Sequence, residues 1–141
     1  MKSSICRVLI ALGAIWSATS VSAHHSFAAV FDPSKPATLT GTVVSFEFVN
    51  PHGWVTMTVK PNGGGADQQW RIEVANPNQL LRLGWKRDSL KPGDNVSVTT
   101  FLARDGTNTA IGQVFTLADG RQVLGGAPPP STASAPAAAS N

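Results

Sequence analysis

The sequence predicts a small domain built mainly from β-strands, with one short helix. Several stretches between residues 38 and 124 are rich in β-branched and aromatic residues or alternate apolar with polar side chains, which is typical of strands. Gly, Pro, Asn and Asp separate these stretches and predict turns. The predicted order is strand, strand, strand, helix, strand, strand. This order favours a five-stranded barrel of the OB type, and a small β-sandwich is the alternative that periodicity leaves open.

The first predicted strand, residues 38–49, changes the face of its apolar side chains part-way along. Leu39 and Val43 share one face, whereas Val44 and Phe46 fall on the other. A switch of this kind, close to a glycine, predicts a β-bulge that bends a long strand. The remaining strands are predicted at residues 54–60, 69–75, 96–103, 110–117 and 122–124.

The one helix is predicted from its end signals. Asn76 is a favoured N-cap residue, and Pro77 fits the first helical position. Three leucines follow, and Gly84 fits the position just after the helix end. The helix should therefore have about two turns and lie between the third and fourth strands.

The N-terminal residues, 1–23, have the pattern of a secretory signal peptide. Lys2 and Arg7 precede an uncharged apolar run at residues 8–18, and small residues end the segment at Ala23. The run is shorter than the roughly 20 residues of a transmembrane helix. We therefore expect a periplasmic protein that begins at His24 and has no membrane contact after cleavage. The single cysteine of the chain lies in this segment, so the mature protein has none.

Three zones follow the predicted signal peptide. Residues 24–36 form a lead-in segment with two prolines, and residues 37–124 form the folded β domain. Residues 125–141 are almost entirely Gly, Pro, Ala and Ser. Such a segment cannot bury enough apolar surface to offset its ordering entropy, so we expect a disordered tail.

The charge balance changes once the signal peptide is removed. The whole chain has 11 basic and 8 acidic residues, and the loss of Lys2 and Arg7 leaves nine basic against eight acidic. A near-neutral domain gives no electrostatic argument for nucleic acid, so we expect no nucleic-acid partner.

Several short motifs of the mature chain occur together in a known family. The chain resembles a family of small exported bacterial proteins described as domain of unknown function 6152. The resemblance covers residues 24–124, implies a periplasmic β-barrel-like domain and carries no established activity. The matching motifs include His24-His25-Ser26-Phe27, Gly41-Thr42-Val43, Asn50-Pro51-His52, Trp70 with Glu73, Gly84-Trp85 and Leu90-Lys91-Pro92-Gly93-Asp94.

The three histidines suggest a metal site. After cleavage, His24 would carry a free amine and an imidazole, which together can chelate one metal ion. A second imidazole would complete a T-shaped set of three nitrogens that suits Cu(II). His52, in the turn after the first strand, is the preferred second ligand, and His25 is a weaker candidate because adjacent residues share a tight backbone geometry. The competing interpretation is that all three are polar surface residues.

A metal-free binding module is the alternative function. Trp54 has the opposite parity to its apolar neighbours and is the best candidate for an exposed surface that binds a small ligand, a glycan or a partner protein. Trp70 and Trp85 are expected in the core. Glu47 and Glu73 are expected at solvated strand positions, and because no spacing fixes a catalytic pair, an enzyme ranks below both binding functions.

Overall fold

In the computed structural model, residues 27–61 and 63–127 are described, and they form six strands and two short helices. No helix in these ranges is long and apolar enough to span a membrane. The elements in chain order are α1 (Phe27–Val30), β1 (Phe31–Glu47), β2 (Gly53–Val59), β3 (Gln68–Val74), α2 (Pro77–Arg82), β4 (Asn95–Ala103), β5 (Thr109–Leu117) and β6 (Gln122–Leu124).

The strands form one sheet that closes on itself. Their order is β3-β2-β1-β4-β5-β6, with antiparallel neighbours throughout. A parallel pairing between β3 and β5, with Arg71 opposite Thr109 and Glu73 opposite Ile111, joins the two ends. This closure confirms the predicted OB-like barrel. A sandwich would need two separate sheets packed face to face.

The predicted bulge in β1 is present. The register of β1 against β2 shifts between Val43 and Ser45, so Val44 is the extra residue and its side chain is 42% exposed. Val43 before the bulge is buried, and Phe46 after it packs against the same core. One extra residue therefore returns the apolar side chains to the interior.

β1 begins at Phe31, well before the predicted start at residue 38. Pro33 and Pro36 predict a lead-in segment, but the structure accommodates them where the register against β4 is irregular, between Phe31 and Pro36. A proline is tolerated at such an irregularity because the ladder lacks a regular hydrogen bond there. Residues 31–36 are thus part of the barrel wall.

Fifteen buried apolar residues among those described fill the barrel. Trp85 is the largest of them, 1% exposed, and its rings lie 5.2–5.3 Å from those of Phe46 and Phe115. Its indole N–H donates to the Leu124 carbonyl at 2.8 Å. The members are Leu39, Val43, Val55, Met57, Val59, Ile72, Val74, Ala75, Leu80, Trp85, Leu90, Val96, Val98, Ala110 and Phe115.

The helix α2 has both predicted end signals. The Asn76 side chain accepts a hydrogen bond from the Gln79 backbone N–H at 3.0 Å, as an N-cap does. Leu83 is the C-cap, and Gly84 follows with φ +88°. A glycine adopts this left-handed conformation without the steric cost that other residues meet.

A second apolar cluster lies on the outside of the barrel. Phe31, Phe101 and Ala103 are buried in it, and Phe27 and Ile111 pack against it. The Phe27 ring meets that of Phe101 edge-on at 5.4 Å. This outer cluster holds α1 and the start of β1 against β4 and β5.

The C-terminal boundary differs from the predicted one. Gly125 donates its N–H to Gln113 at 2.7 Å and accepts one from Ala75 at 2.8 Å, and the Ala127 N–H donates to Gly112 at 3.3 Å. Residues 125–127 are thus hydrogen-bonded to the barrel, although the predicted tail starts at 125. The predicted signal peptide and residues 128–141 lie outside the described ranges.

Candidate functional site

Polar side chains and one tryptophan form a row on the outer face of β1, β2 and β3. Trp54 of β2 pairs with Glu47 of β1 on one side and with Glu73 of β3 on the other. The inner face of the same strands carries the core residues, because successive side chains in a strand point to opposite faces. The packed core on the inner face therefore holds the backbone of this row in place.

His52 lies directly before β2, at the end of this row. Its Nδ1 is 2.8 Å from Oε1 of Glu73. The imidazole side chain is 53% exposed, whereas that of Glu73 is 16% exposed. With an N–H at Nδ1 donating to the carboxylate, the lone pair of a neutral imidazole lies on Nε2. The pair thus fixes the ring and leaves Nε2 as the nitrogen suited to bind a cation.

Arg71 covers Trp54. Its guanidinium carbon lies 4.1 Å from the centroid of the indole, which is the geometry of a cation–π contact. Nη2 of Arg71 is also 3.9 Å from Oε2 of Glu47. Trp54 is half-buried, so its ring is less open than an exposed stacking residue requires. It stays a predicted ligand-binding residue, with Arg71 as part of the same surface.

Glu73 is the site residue that sequence reasoning missed. The alternation of β3 predicts a solvated strand position, but the pairing of β3 with β2 brings Glu73 beside His52. The signal available in the sequence is the hairpin itself. Two consecutive antiparallel strands place the start of the first near the end of the second.

The other predicted site residues divide into two groups. His24 and His25 lie outside the described residues, so the predicted metal site stays a prediction. Within residues 27–61 and 63–127, no three His, Cys, Asp or Glu side chains are grouped so as to hold a metal ion. Trp85 is in the core, as predicted. Trp70 is half-buried and packs against the core cluster.

Asp32, at the start of β1, lies in a separate polar cluster. Its Oδ1 accepts hydrogen bonds from the Ser34 hydroxyl at 2.7 Å and the Ser34 N–H at 3.0 Å. These bonds lower the pKa of Asp32; burial opposes them, and the charges of Arg104 and Lys35 add to the lowering. The role of these contacts is structural, since they tie the start of β1 to Arg104, which directly follows β4.

A family model matches residues 13–113, which is more than half of the chain. The chain belongs to the DUF6152 family. This family is described as one of unknown function, so membership confirms the resemblance seen in the sequence and assigns no activity. No curated protein matches the chain.

Two solved structures are similar to this DUF6152 chain. Both are crystal structures of the mitochondrial single-stranded DNA-binding protein Rim1 from S. cerevisiae. One is 18% identical with a TM-score of 0.46 and covers 62% of this chain and 94% of that chain. The second, selenomethionine-labelled, is 21% identical with a TM-score of 0.45 and covers 60% and 93%.

These neighbours correct one expectation. The near-neutral charge predicts no nucleic-acid partner, but both similar structures are of proteins named for binding single-stranded DNA. That exclusion was wrong, because net charge says nothing of how charge is distributed over a surface. At these identities and TM-scores the likeness assigns no ligand to this chain.

Proposed function

We propose that this DUF6152 protein is exported to the periplasm and that its mature form binds one Cu(II) ion. The ligands would be the amine and Nδ1 of His24 and Nε2 of His52. One observation carries the proposal: Nδ1 of His52 is held by Glu73 at 2.8 Å, with half of the imidazole exposed. Histidines that bind metals typically donate their other N–H to a carboxylate or carbonyl, which fixes the ring and raises its basicity.

The position of Phe27 supports a role for the N-terminus in the proposed copper binding. Phe27 packs in the outer cluster with Ile111, and Ile111 pairs with Glu73, the partner of His52. Adjacent strands lie about 4.8 Å apart. His24 precedes Phe27 by three residues, which span up to roughly 10 Å when extended. Ile111 of the outer cluster is thus one strand spacing from Glu73, and the chain that would carry His24 begins at this cluster.

Copper titration of protein that begins at His24 tests the proposal. The matched control carries one extra glycine before His24, which moves the amine away from the imidazole. We expect the extra residue and His52→Ala each to weaken Cu(II) binding more than tenfold, and His25→Ala to change it little. Binding should also weaken as pH falls, because ligand nitrogens must lose their protons to bind metal. Equal affinity of the native and extended proteins would contradict the proposal.

The second candidate is a metal-free binding module on the Trp54 surface. The stacked Arg71 favours it, because that side chain is 53% exposed and its planar guanidinium offers several N–H donors beside the indole. Such a surface suits a small ligand, a glycan or a partner protein with a carboxylate or hydroxyl group. If copper binds the native and extended proteins equally weakly, this function takes precedence, and Trp54→Ala becomes the variant to compare in ligand screens.

A further inference from the structure

The segment between α2 and β4 carries a local excess of positive charge. Residues 82–91 contain four basic side chains against one acidic side chain, Asp88, and all four basic side chains are exposed. Asp94, just beyond the segment, is half-buried and accepts the backbone N–H of Lys91 at 2.8 Å. The near-neutral balance of the whole domain therefore conceals a basic region. The four basic residues are Arg82, Lys86, Arg87 and Lys91.

Packing and hydrogen bonds hold this segment along the second half of β1. Trp85, in the middle of the segment, is buried in the core. The guanidinium carbon of Arg87 lies 5.2 Å from the centroid of the Phe48 ring. In the turn that follows Lys91, the Gly93 N–H donates to the Val43 carbonyl at 2.8 Å. The basic side chains therefore lie beside the end of β1 and the residues that follow it.

Exposed aliphatic side chains adjoin these basic residues. Val44, the bulge residue, is 42% exposed and directly follows the residue that is bonded to Gly93. Val49 is 47% exposed and directly follows Phe48. Leu81 of α2 is 53% exposed and precedes the first arginine of the segment. We call this surface the basic face; it consists of Val44, Val49, Leu81, Arg82, Lys86, Arg87 and Lys91.

We infer that the basic face binds the surface of a membrane that contains anionic phospholipids. Lysine and arginine are attracted to the anionic headgroups, while neighbouring aliphatic side chains enter the boundary between the headgroups and the acyl chains. A single-stranded nucleic acid fits this face less well, because such ligands stack their bases on aromatic rings. The aromatic ring beside this face, Phe48, is half-buried under Arg87. The contact is peripheral and uses none of the proposed copper ligands.

Vesicle sedimentation tests the inference. Protein that begins at His24 is mixed with vesicles of phosphatidylglycerol and phosphatidylcholine, or of phosphatidylcholine alone. We expect binding to the anionic vesicles only, and weaker binding as salt rises, because ions screen the attraction. The double substitution Lys86→Gln with Lys91→Gln should weaken binding about 20-fold. Lys35→Gln with Lys60→Gln is the matched control, because it removes the same charge from exposed positions outside the basic face.

A second pair of variants tests the aliphatic part of the contact. Val49→Ser should weaken vesicle binding about fivefold, because the side chain no longer favours the acyl chains. Val30→Ser is the control, since Val30 is 38% exposed but lies in α1. Circular dichroism checks that all variants keep the fold.

Three results would overturn the inference. Equal losses in the two double variants would show that overall charge and not the basic face drives binding. Equal binding to phosphatidylcholine alone would show that anionic headgroups are not recognised. A single-stranded DNA oligonucleotide that binds as tightly as the anionic vesicles, with no effect of Val49→Ser on either, would assign the face to nucleic acid.

Discussion

The inner and outer faces of the β2–β3 hairpin are held by different kinds of contact. On the inner face, Val55, Met57 and Ile72 are 0% exposed and belong to one continuous core. On the outer face, Arg71 and Glu73 make pairwise polar contacts that are partly open to solvent. The inner face therefore sets the fold, while residues on the outer face can be exchanged without unfolding the barrel.

The energies of the two faces differ in size. Full burial of an aliphatic or aromatic side chain stabilises the folded state by about 1.5–3 kcal/mol. An exposed ion pair contributes about 0–1 kcal/mol, because water screens the charges and the long side chains lose conformational freedom. The outer pairs therefore contribute little to stability and more to the orientation of His52 and Trp54.

The largest effect should come from the core. Trp85→Ala removes the largest buried side chain and leaves the Leu124 carbonyl without its indole donor. We expect a loss of about 3–5 kcal/mol in the free energy of unfolding, measured by chemical denaturation. Trp54→Ala is the control on the outer face and should cost no more than about 1.5 kcal/mol. Similar losses for the two variants would show that the faces do not differ as described.

An intermediate effect should appear in metal binding and not in stability. Glu73→Gln keeps the shape of the side chain but removes the carboxylate that holds Nδ1 of His52. We expect Cu(II) affinity to fall about 10–100-fold, as for other residues that orient a metal-binding histidine. Glu47→Gln is the matched control, because Glu47 lies in the same row and pairs with Arg71 instead. An equal fall in both variants would point to surface charge and not to orientation of the ring.

The smallest effect should be a pH dependence at Asp32. Hydrogen bonds from Ser34 keep the pKa of this carboxyl low in the folded protein. Its ionised form therefore stabilises the fold above about pH 4, and this contribution disappears as pH falls through the lowered pKa. Denaturation midpoints at several pH values should place Asp32→Asn below the unsubstituted protein at pH 7, with the gap closing as pH falls through the lowered pKa.

Features set by local chemistry could be predicted from the sequence. Asn76 is an N-cap because its side-chain oxygen reaches the N–H of Gln79, three residues on. The bulge at Val44 follows from a change of parity within one strand. The OB-type order of elements could be predicted because the signals for the short helix fall between those for the third and fourth strands. Each signal lies within a few residues of the feature it predicts.

Features set by pairing between distant segments could not be predicted in the same way. The contact of His52 with Glu73 depends on the register of β2 against β3, which alternation alone does not determine. The contact of Arg104 with Ala28 joins residues 76 positions apart. The early start of β1 could not be predicted either, because residues 31–36 contain two prolines and a proline normally interrupts a strand.

The hydrogen bonds of residues 125–127 have a practical consequence for recombinant work. Because Gly125 and Ala127 are bonded to β5 and the neighbouring chain, a truncation before residue 127 would remove bonds of the barrel wall. An affinity tag belongs after residue 127, where it leaves those bonds intact. At the other end, a tag left before His24 would abolish the proposed amine ligand. Protein with a C-terminal tag and a first residue at His24 is therefore the form in which the proposed metal binding should be measured.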